Sequence, residues 1–183
     1  VVSWNELSDH LYTDRRFSTA IPYRTSYYKK DWGFCVNQSQ YKKIKKSGKK
    51  FQVKIHTKFK KGYLNYGELI LPGRSKKEIL ISTYICHPSM ANDNLSGVIV
   101  TSLLAKHISS MKNRKFTYRI VFIPETIGAI AYLHRNKKQI SNILYGLVVT
   151  TTGGKGAFSY KQSFDKYCEI NFLIEDVFKN KKI

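Results

Sequence analysis

Long apolar runs are missing from this sequence. Nowhere do about 18 apolar residues follow one another, the length that a helix needs to cross a bilayer. The opening stretch "VVSWNELSDHLY" lacks the charged and apolar regions of a secretory signal. Cysteine is also scarce. Cys35, Cys86 and Cys168 are odd in number and far apart, which excludes a disulfide frame and suits reduced thiols in a cytoplasmic protein. Acid is the third shortage: 12 Asp and Glu face 32 Lys and Arg, for a net charge of +20. No acid at all lies in Lys42–Lys61, "KKIKKSGKKFQVKIHTKFKK", which holds ten of the basic residues. Such a cluster is the usual footprint of a nucleic-acid binder. This one contains no Arg, and a Lys head is a point charge without the fork that reads bases. The expectation is a solvated lysine face, with neither a nucleic acid nor a membrane as partner. No internal repeat is visible.

What is present suffices for a core. The 183 residues are 42% hydrophobic and include 13 Tyr and 10 Phe, a composition that excludes disorder and fits one domain with something smaller attached. The missing initial Met, and an end at "EDVFKNKKI" just after a strand-like run, suggest part of a longer protein.

Residues 1–74 read as a small, basic, β-rich unit. Ser3 and Glu6 form a capping box for a short helix to about Tyr12. "AIPYRTSYY" is extended around Pro22. Asn37 caps a helix over "QSQYKKIKKS" that stops at Gly48. Phe51, Val53, Ile55, Thr57 and Phe59 alternate with polar residues as in a half-buried strand, and "LNYGELILPG" is a second strand.

Residues 75–183 change texture. "EILISTYI", "YRIVFIP" and "ILYGLVVTTT" read as buried strands. Between them lie helices at "LSGVIVTSLLAKHISSM", with Leu95, Val98, Leu103, Ala105 and Ile108 at helical spacing, and at "TIGAIAYLHRN". This alternation predicts an α/β fold with a mostly parallel sheet flanked by helices.

Ligands of such sheets bind beyond the carboxyl ends of the strands. His87 and Asp93 follow the first of these strands, and Glu125 follows the second. Imidazole plus carboxylate suits zinc, and a Glu left off the metal can take a proton from water. On spacing alone the alternative stands that His87 is a hydrogen-bonded loop residue and Asp93 a helix cap. Asn92, Asn94 and Ser96 read as loop and cap residues, and Gly97 as the point where the helix packs closely on the sheet. His10, His56, His107 and His134 read as surface or structural, and Cys86 lacks a paired base.

The blocks "AIPYRTSYYKKDWGFCV", "YGELILPG", "ISTYICHPSMANDNLSG" and "FIPETIGAIAYL" occur in that order. Together they resemble a bacterial aminopeptidase-like family of otherwise unknown function, within the zinc-dependent exopeptidase superfamily. The resemblance runs from about Trp4 to about Lys161. It implies a small β domain embedded in a peptidase core, and a context of surface-polysaccharide genes. It also implies a hydrolase of peptides or amide-linked small molecules, with His87 and Asp93 as metal ligands and Glu125 as general acid/base. Two-zinc relatives carry Glu-Glu where this chain has Glu125–Thr126, and an Asp where it has "VVTTTGGKGAF". A further His comes from later in such chains. The resemblance therefore implies one zinc ion at most in the full-length protein and a weak or absent ion here, and it leaves a degenerate, non-catalytic scaffold as the alternative.

The lysine cluster gives a first test. In a mobility-shift experiment at about 50 mM salt, duplex DNA and single-stranded RNA are expected to stay unbound; a complex whose affinity falls steeply with salt would make Lys42–Lys61 a nucleic-acid surface.

Overall fold

In a computed structural model of the chain, residues 1–24 and 30–181 are described. Chain contacts divide it into two compact units, Val1–Lys61 and Gly62–Ile183.

The first unit contains β1 (Val2–Ser3), α1 (Trp4–Asp9), β2 (Leu11–Tyr12), β3 (Phe34–Cys35), α2 (Gln38–Ser47) and β4 (Lys50–Phe51). Both helices start where the caps predict. Ser3 Oγ accepts from the Glu6 amide, and Asn37 exchanges bonds with Gln40 in a full capping box. β1 pairs with β4 antiparallel, and β2 with β3 in parallel. The unit's small core is aromatic: Trp4 meets the Tyr41 ring edge-on at 5.5 Å and Phe51 at 6.0 Å, beside buried Leu7 and Leu11. His10 is structural, as expected. Its ring stacks on Trp32 at 3.7 Å, and its Nδ1 donates to the Trp32 carbonyl at 2.7 Å. The strands are only two residues long, so helices supply more of this unit than a β-rich reading implies.

The predicted strand over 51–59 is not formed. Residues 52–66 carry no regular element, and Ile55 and Phe59 are exposed. Alternation supplies a face, but a strand also needs a neighbouring edge for its N–H and C=O groups, and only Lys50–Phe51 finds one. The extended reading of "AIPYRTSYY" falls partly outside the described residues.

The second unit contains β5 (Gly67–Leu71), β6 (Glu78–Tyr84), α3 (Leu95–Ser110), β7 (Thr117–Ile123), α4 (Ile127–Arg135), α5 (Lys137–Ile140), β8 (Ile143–Val148) and α6 (Glu169–Lys181). β5 to β8 form a sheet in the order β5-β7-β6-β8. β6 runs parallel to both β7 and β8, and β5 is antiparallel to β7. The fold is thus mixed α/β, with three parallel strands and one antiparallel edge strand. β5 also draws residues 67–71 into this sheet, whereas the change of texture in the sequence falls after residue 74.

Alternate residues of β7 serve two cores. Ile120 packs with Ile81, Ala105 and Ile108 under α3, while Val121 and Ile123 pack with Tyr132 of α4. α3 and α4 therefore cover opposite faces of the sheet. The buried stripe of α3 is Gly97, Thr101, Ala105 and Ile108, and Leu95 and Leu103 point outward, contrary to the apolar spacing. Close approach explains the choice of face. A Cβ on Gly97 would stand 2.6 Å from the Val149 carbonyl oxygen, so small residues let the helix sit down on the sheet. The C-terminal run is a helix, α6, rather than a strand. Ile170, Leu173, Ile174, Val177 and Phe178 recur at helical spacing, and buried Asn171 anchors it by accepting from the Tyr160 hydroxyl at 2.8 Å and the Ser163 amide at 3.0 Å. No helix among the described residues is long and apolar enough to cross a membrane.

The apolar strands hide one charge cluster. Arg119 of β7 grips Glu78 of β6 in a bidentate pair at 2.5 and 3.0 Å, and reaches Glu68 of β5 at 2.6 Å. The register makes both pairs diagonal neighbours on one face, since Glu78 lies opposite Thr117 and Glu68 opposite Val121. Tyr132 of α4 donates to the same Glu68 carboxylate. Burial alone would raise the Glu68 carboxyl, but the bonds from Tyr132 and Arg119 outweigh it and hold it below its ordinary range. Burial, then the Glu68 carboxylate, push the Tyr132 phenol up to about 12. Because the fold holds that proton more tightly than the unfolded chain does, its stabilising effect is present below about pH 10 and is lost as pH rises towards about 12. Urea unfolding should therefore show the stability gap between the native chain and Tyr132→Phe closing over that window; a constant gap would contradict the cluster.

Candidate active-site rim

β6 and β7 are adjacent and parallel, yet the helices that follow them lie on opposite faces of the sheet. That arrangement opens a crevice beyond their carboxyl ends, the place where open α/β sheets bind ligands. Tyr84 ends β6 there. Its hydroxyl accepts a hydrogen bond from Thr150, just past β8. Burial pushes the Tyr84 phenol up; the Thr150 bond opposes this, and the negative charges of Asp93 and Glu125 add to it. The charges of these two carboxylates, 32 residues apart in sequence, thus both act on one phenol. Both carboxylates are exposed, open to a ligand in the crevice.

His87 sits on the same loop as Asp93 and is exposed. Its Nδ1 is 3.0 Å from the Pro88 carbonyl oxygen. A carbonyl only accepts, so Nδ1 carries the proton, and in the neutral ring the lone pair is on Nε2. Among the described residues, no group of three His, Cys, Asp or Glu is placed to hold a metal ion. His87 and Asp93 are two donors of suitable chemistry, whereas a catalytic zinc site takes three from protein. These residues do not complete a zinc site by themselves.

The polar residues around Asp93 have a task that spacing does not reveal. Asn94 makes no side-chain cap on α3. It is fully buried, donates to Thr83 Oγ1 at 2.8 Å and to the Tyr84 carbonyl at 3.0 Å, and accepts from the Thr151 amide at 3.1 Å. Asn92 Oδ1 accepts from the Gly153 amide at 2.8 Å, and Ser96 Oγ from the Thr152 amide at 2.9 Å. Three short polar side chains therefore zip the loop after β6 to the loop after β8, and Asp93 rides on that seam. On the other side Thr126, at φ 57° and ψ −76°, turns the chain sharply between Glu125 and α4. A β-branched residue is rare in that region, and strain of this kind gathers at functional sites. Tyr84 and Thr150 escape a reading by spacing because each is an ordinary strand-end residue; the one signal was the threonine run "TTT" beyond an apolar strand.

A profile for the family described as Domain of unknown function (DUF4910) matches residues 10–183. A Clostridium acetobutylicum protein, provisionally named a polysaccharide biosynthesis protein with aminopeptidase-like domain, is 42% identical over 173 residues, which are 94% of this chain and 39% of that protein. A crystal structure at 2.37 Å of a protein from Clostridium acetobutylicum, provisionally named a peptidase, matches with a TM-score of 0.66 and 40% identity, over 97% of this chain and 41% of its own. The chain spans about two fifths of the length of these relatives.

The seam yields a specific expectation. Asn94→Ala takes one hydrogen bond from each of Thr83, Tyr84 and Thr151 and should cost about 2–4 kcal/mol in urea unfolding. Asn94→Asp keeps the shape but turns an acceptor towards the Thr83 oxygen and the Tyr84 carbonyl, so at neutral pH it should be no better tolerated than Ala. A harmless Asn94→Asp would overturn the assigned bonds.

Proposed function

The chain belongs to the DUF4910 family, and on that footing we propose that it forms part of an aminopeptidase-like hydrolase that cleaves a peptide or amide bond with activated water. What supports this most is the placing of Asp93 and Glu125 about the Tyr84 phenol, at the crevice between the carboxyl ends of β6 and β7. Glu125 is the general acid/base: it takes a proton from the attacking water and returns it to the leaving amine. Its exposure leaves it within reach of a substrate, and the turn at Thr126 fixes the backbone behind it. Tyr84 stays protonated at neutral pH and presents a neutral dipole to both carboxylates. The seam of Asn92, Asn94 and Ser96 holds Asp93 at the crevice.

His87 and Asp93 are assigned as two donors to a single zinc ion in the full-length protein, with the remaining donors supplied from outside this chain. The Nδ1 contact of His87 with the Pro88 carbonyl supports that assignment, because it leaves Nε2 as the nitrogen available to a metal. A second reading, a scaffold that has kept the fold and lost the chemistry, draws on Thr126 and on the absence of an acid from "VVTTTGGKGAF". The polysaccharide biosynthesis named for the relative is compatible with either reading.

Assays of the full-length protein with zinc and aminoacyl amides separate the two. The hydrolase reading expects turnover, and Glu125→Gln should lower kcat by about 10²–10⁴-fold with little change in KM. No turnover together with no bound zinc would leave the scaffold. For the present chain alone, metal analysis should find substoichiometric zinc that His87→Ala removes; tight, stoichiometric zinc surviving His87→Ala would move the site elsewhere.

A further inference from the structure

The first unit carries a cleft of about 790 Å³, walled by β2, the segment after it, the chain around Pro22–Arg24, and the start of α2. That volume falls in the range of small-molecule sites, about 300–1,000 Å³. Its lining is unusual in chemistry for a cleft of a lysine-rich unit, because the cations that face it are arginines. Arg15 and Arg24 both line it. The one lining carboxylate, Asp14, is already taken by Arg16, which grips it at 2.7 and 3.1 Å from outside the cleft. Arg15 has no ion pair or hydrogen bond among the described residues. The guanidinium carbon of Arg24 lies over the Tyr12 ring, 4.2 Å from its centroid. A guanidinium held on an aromatic ring keeps N–H donors for another acceptor, and its fork fits two phosphate oxygens. The walls also hold the Tyr41 ring and the polar pair Gln38–Thr13, in which Gln38 Nε2 donates to Thr13 Oγ1 at 3.1 Å. The cleft thus combines a net positive charge, two guanidinium forks, aromatic rings and hydroxyl or amide partners. The unit around it has fifteen Lys and Arg against four Asp and Glu, so an anion is drawn towards it.

We propose that this cleft binds a phosphorylated ring compound, with the phosphate on Arg15 and Arg24 and the ring against the tyrosines. The shared chemistry is a phosphate ester carried on a sugar, whether in a nucleotide or in a free sugar phosphate. The cleft belongs to the first unit and the rim that bears Glu125 to the second, and binding in the cleft is tested without hydrolysis at the rim.

Trp4 touches Tyr41, so binding in the cleft has a built-in optical reporter. Tryptophan fluorescence of the chain should be titrated with uridine diphosphate, glucose 1-phosphate, inorganic phosphate and glucose, with calorimetry as the second measurement. At least one of the two phosphorylated rings is expected to saturate with a submillimolar Kd, about tenfold or more tighter than inorganic phosphate or glucose. The preferred ring tells a nucleotide from a sugar phosphate. Arg15→Ala and Arg24→Ala should each weaken binding about tenfold, and Lys45→Ala, on the same unit but outside the cleft, less than about twofold. If Arg24→Ala does not fold, Arg24→Lys keeps the charge, loses the stacked fork and should still weaken binding. Inorganic phosphate binding as well as either ring, equal losses on Lys45→Ala and Arg15→Ala, or no saturation with either phosphorylated ring would each overturn the proposal.

Discussion

Arg119 is a cation buried inside an apolar sheet, and four elements of the larger unit meet on it. A charge so placed has lost its water, and it is tolerated only where partners with good geometry replace that water. Glu78 comes from β6, Glu68 from β5 and Tyr132 from α4, while Arg119 itself stands on β7. Removing Glu78 leaves the buried Arg119 with only the partly exposed Glu68 carboxylate, so the cluster penalises arrangements that separate β6 from β7. It specifies in particular that an antiparallel β5 closes the edge beside β7, a pairing that apolar residues alone would not distinguish from a slipped register.

From that fixed sheet the crevice follows by topology. With β7 beside β6 and their helices on opposite faces, the carboxyl ends of the two strands have no helix lying across the gap between them. The chain then fills the gap with polar groups rather than apolar ones. The seam from Asn92 to Ser96 follows β6 and the strained turn at Thr126 follows β7, and the exposed Asp93 and Glu125 lie on these two segments.

Much of this could be read from residues alone because the deciding forces were local. Apolar runs of strand length marked β6, β7 and β8; Ser3 and Asn37 marked helix starts; Gly97 marked a close approach. The failures share one cause, dependence on a distant partner. The alternation from Phe51 to Phe59 found no neighbouring edge. The face of α3 was chosen by clearance from Val149 rather than by hydrophobicity, so Leu95 and Leu103 turned outward. The pairing of Arg119 with Glu78 has no mark in the two greasy runs, since it exists only once the register does. At the rim the strand-end rule singles out His87, Asp93 and Glu125 as candidates, but Tyr84, Thr150 and the role of Asn94 depend on contacts more than fifty residues long.

That length has a temporal meaning. Asn94 waits for Thr151, Asn92 for Gly153 and Ser96 for Thr152, partners 57, 61 and 56 residues further along the chain. At a synthesis rate of about 5–20 residues per second, the loop that carries His87 and Asp93 is made about 3–12 s before the amides that shape it. During that interval β6 and α3 can form, but the rim between them has nothing to hold it. In a growing chain the scaffold therefore precedes the site. A fragment ending near Val148 would lack the Thr151, Thr152 and Gly153 amides, so the ledge that carries Asp93 takes its shape only with the residues of the loop after β8.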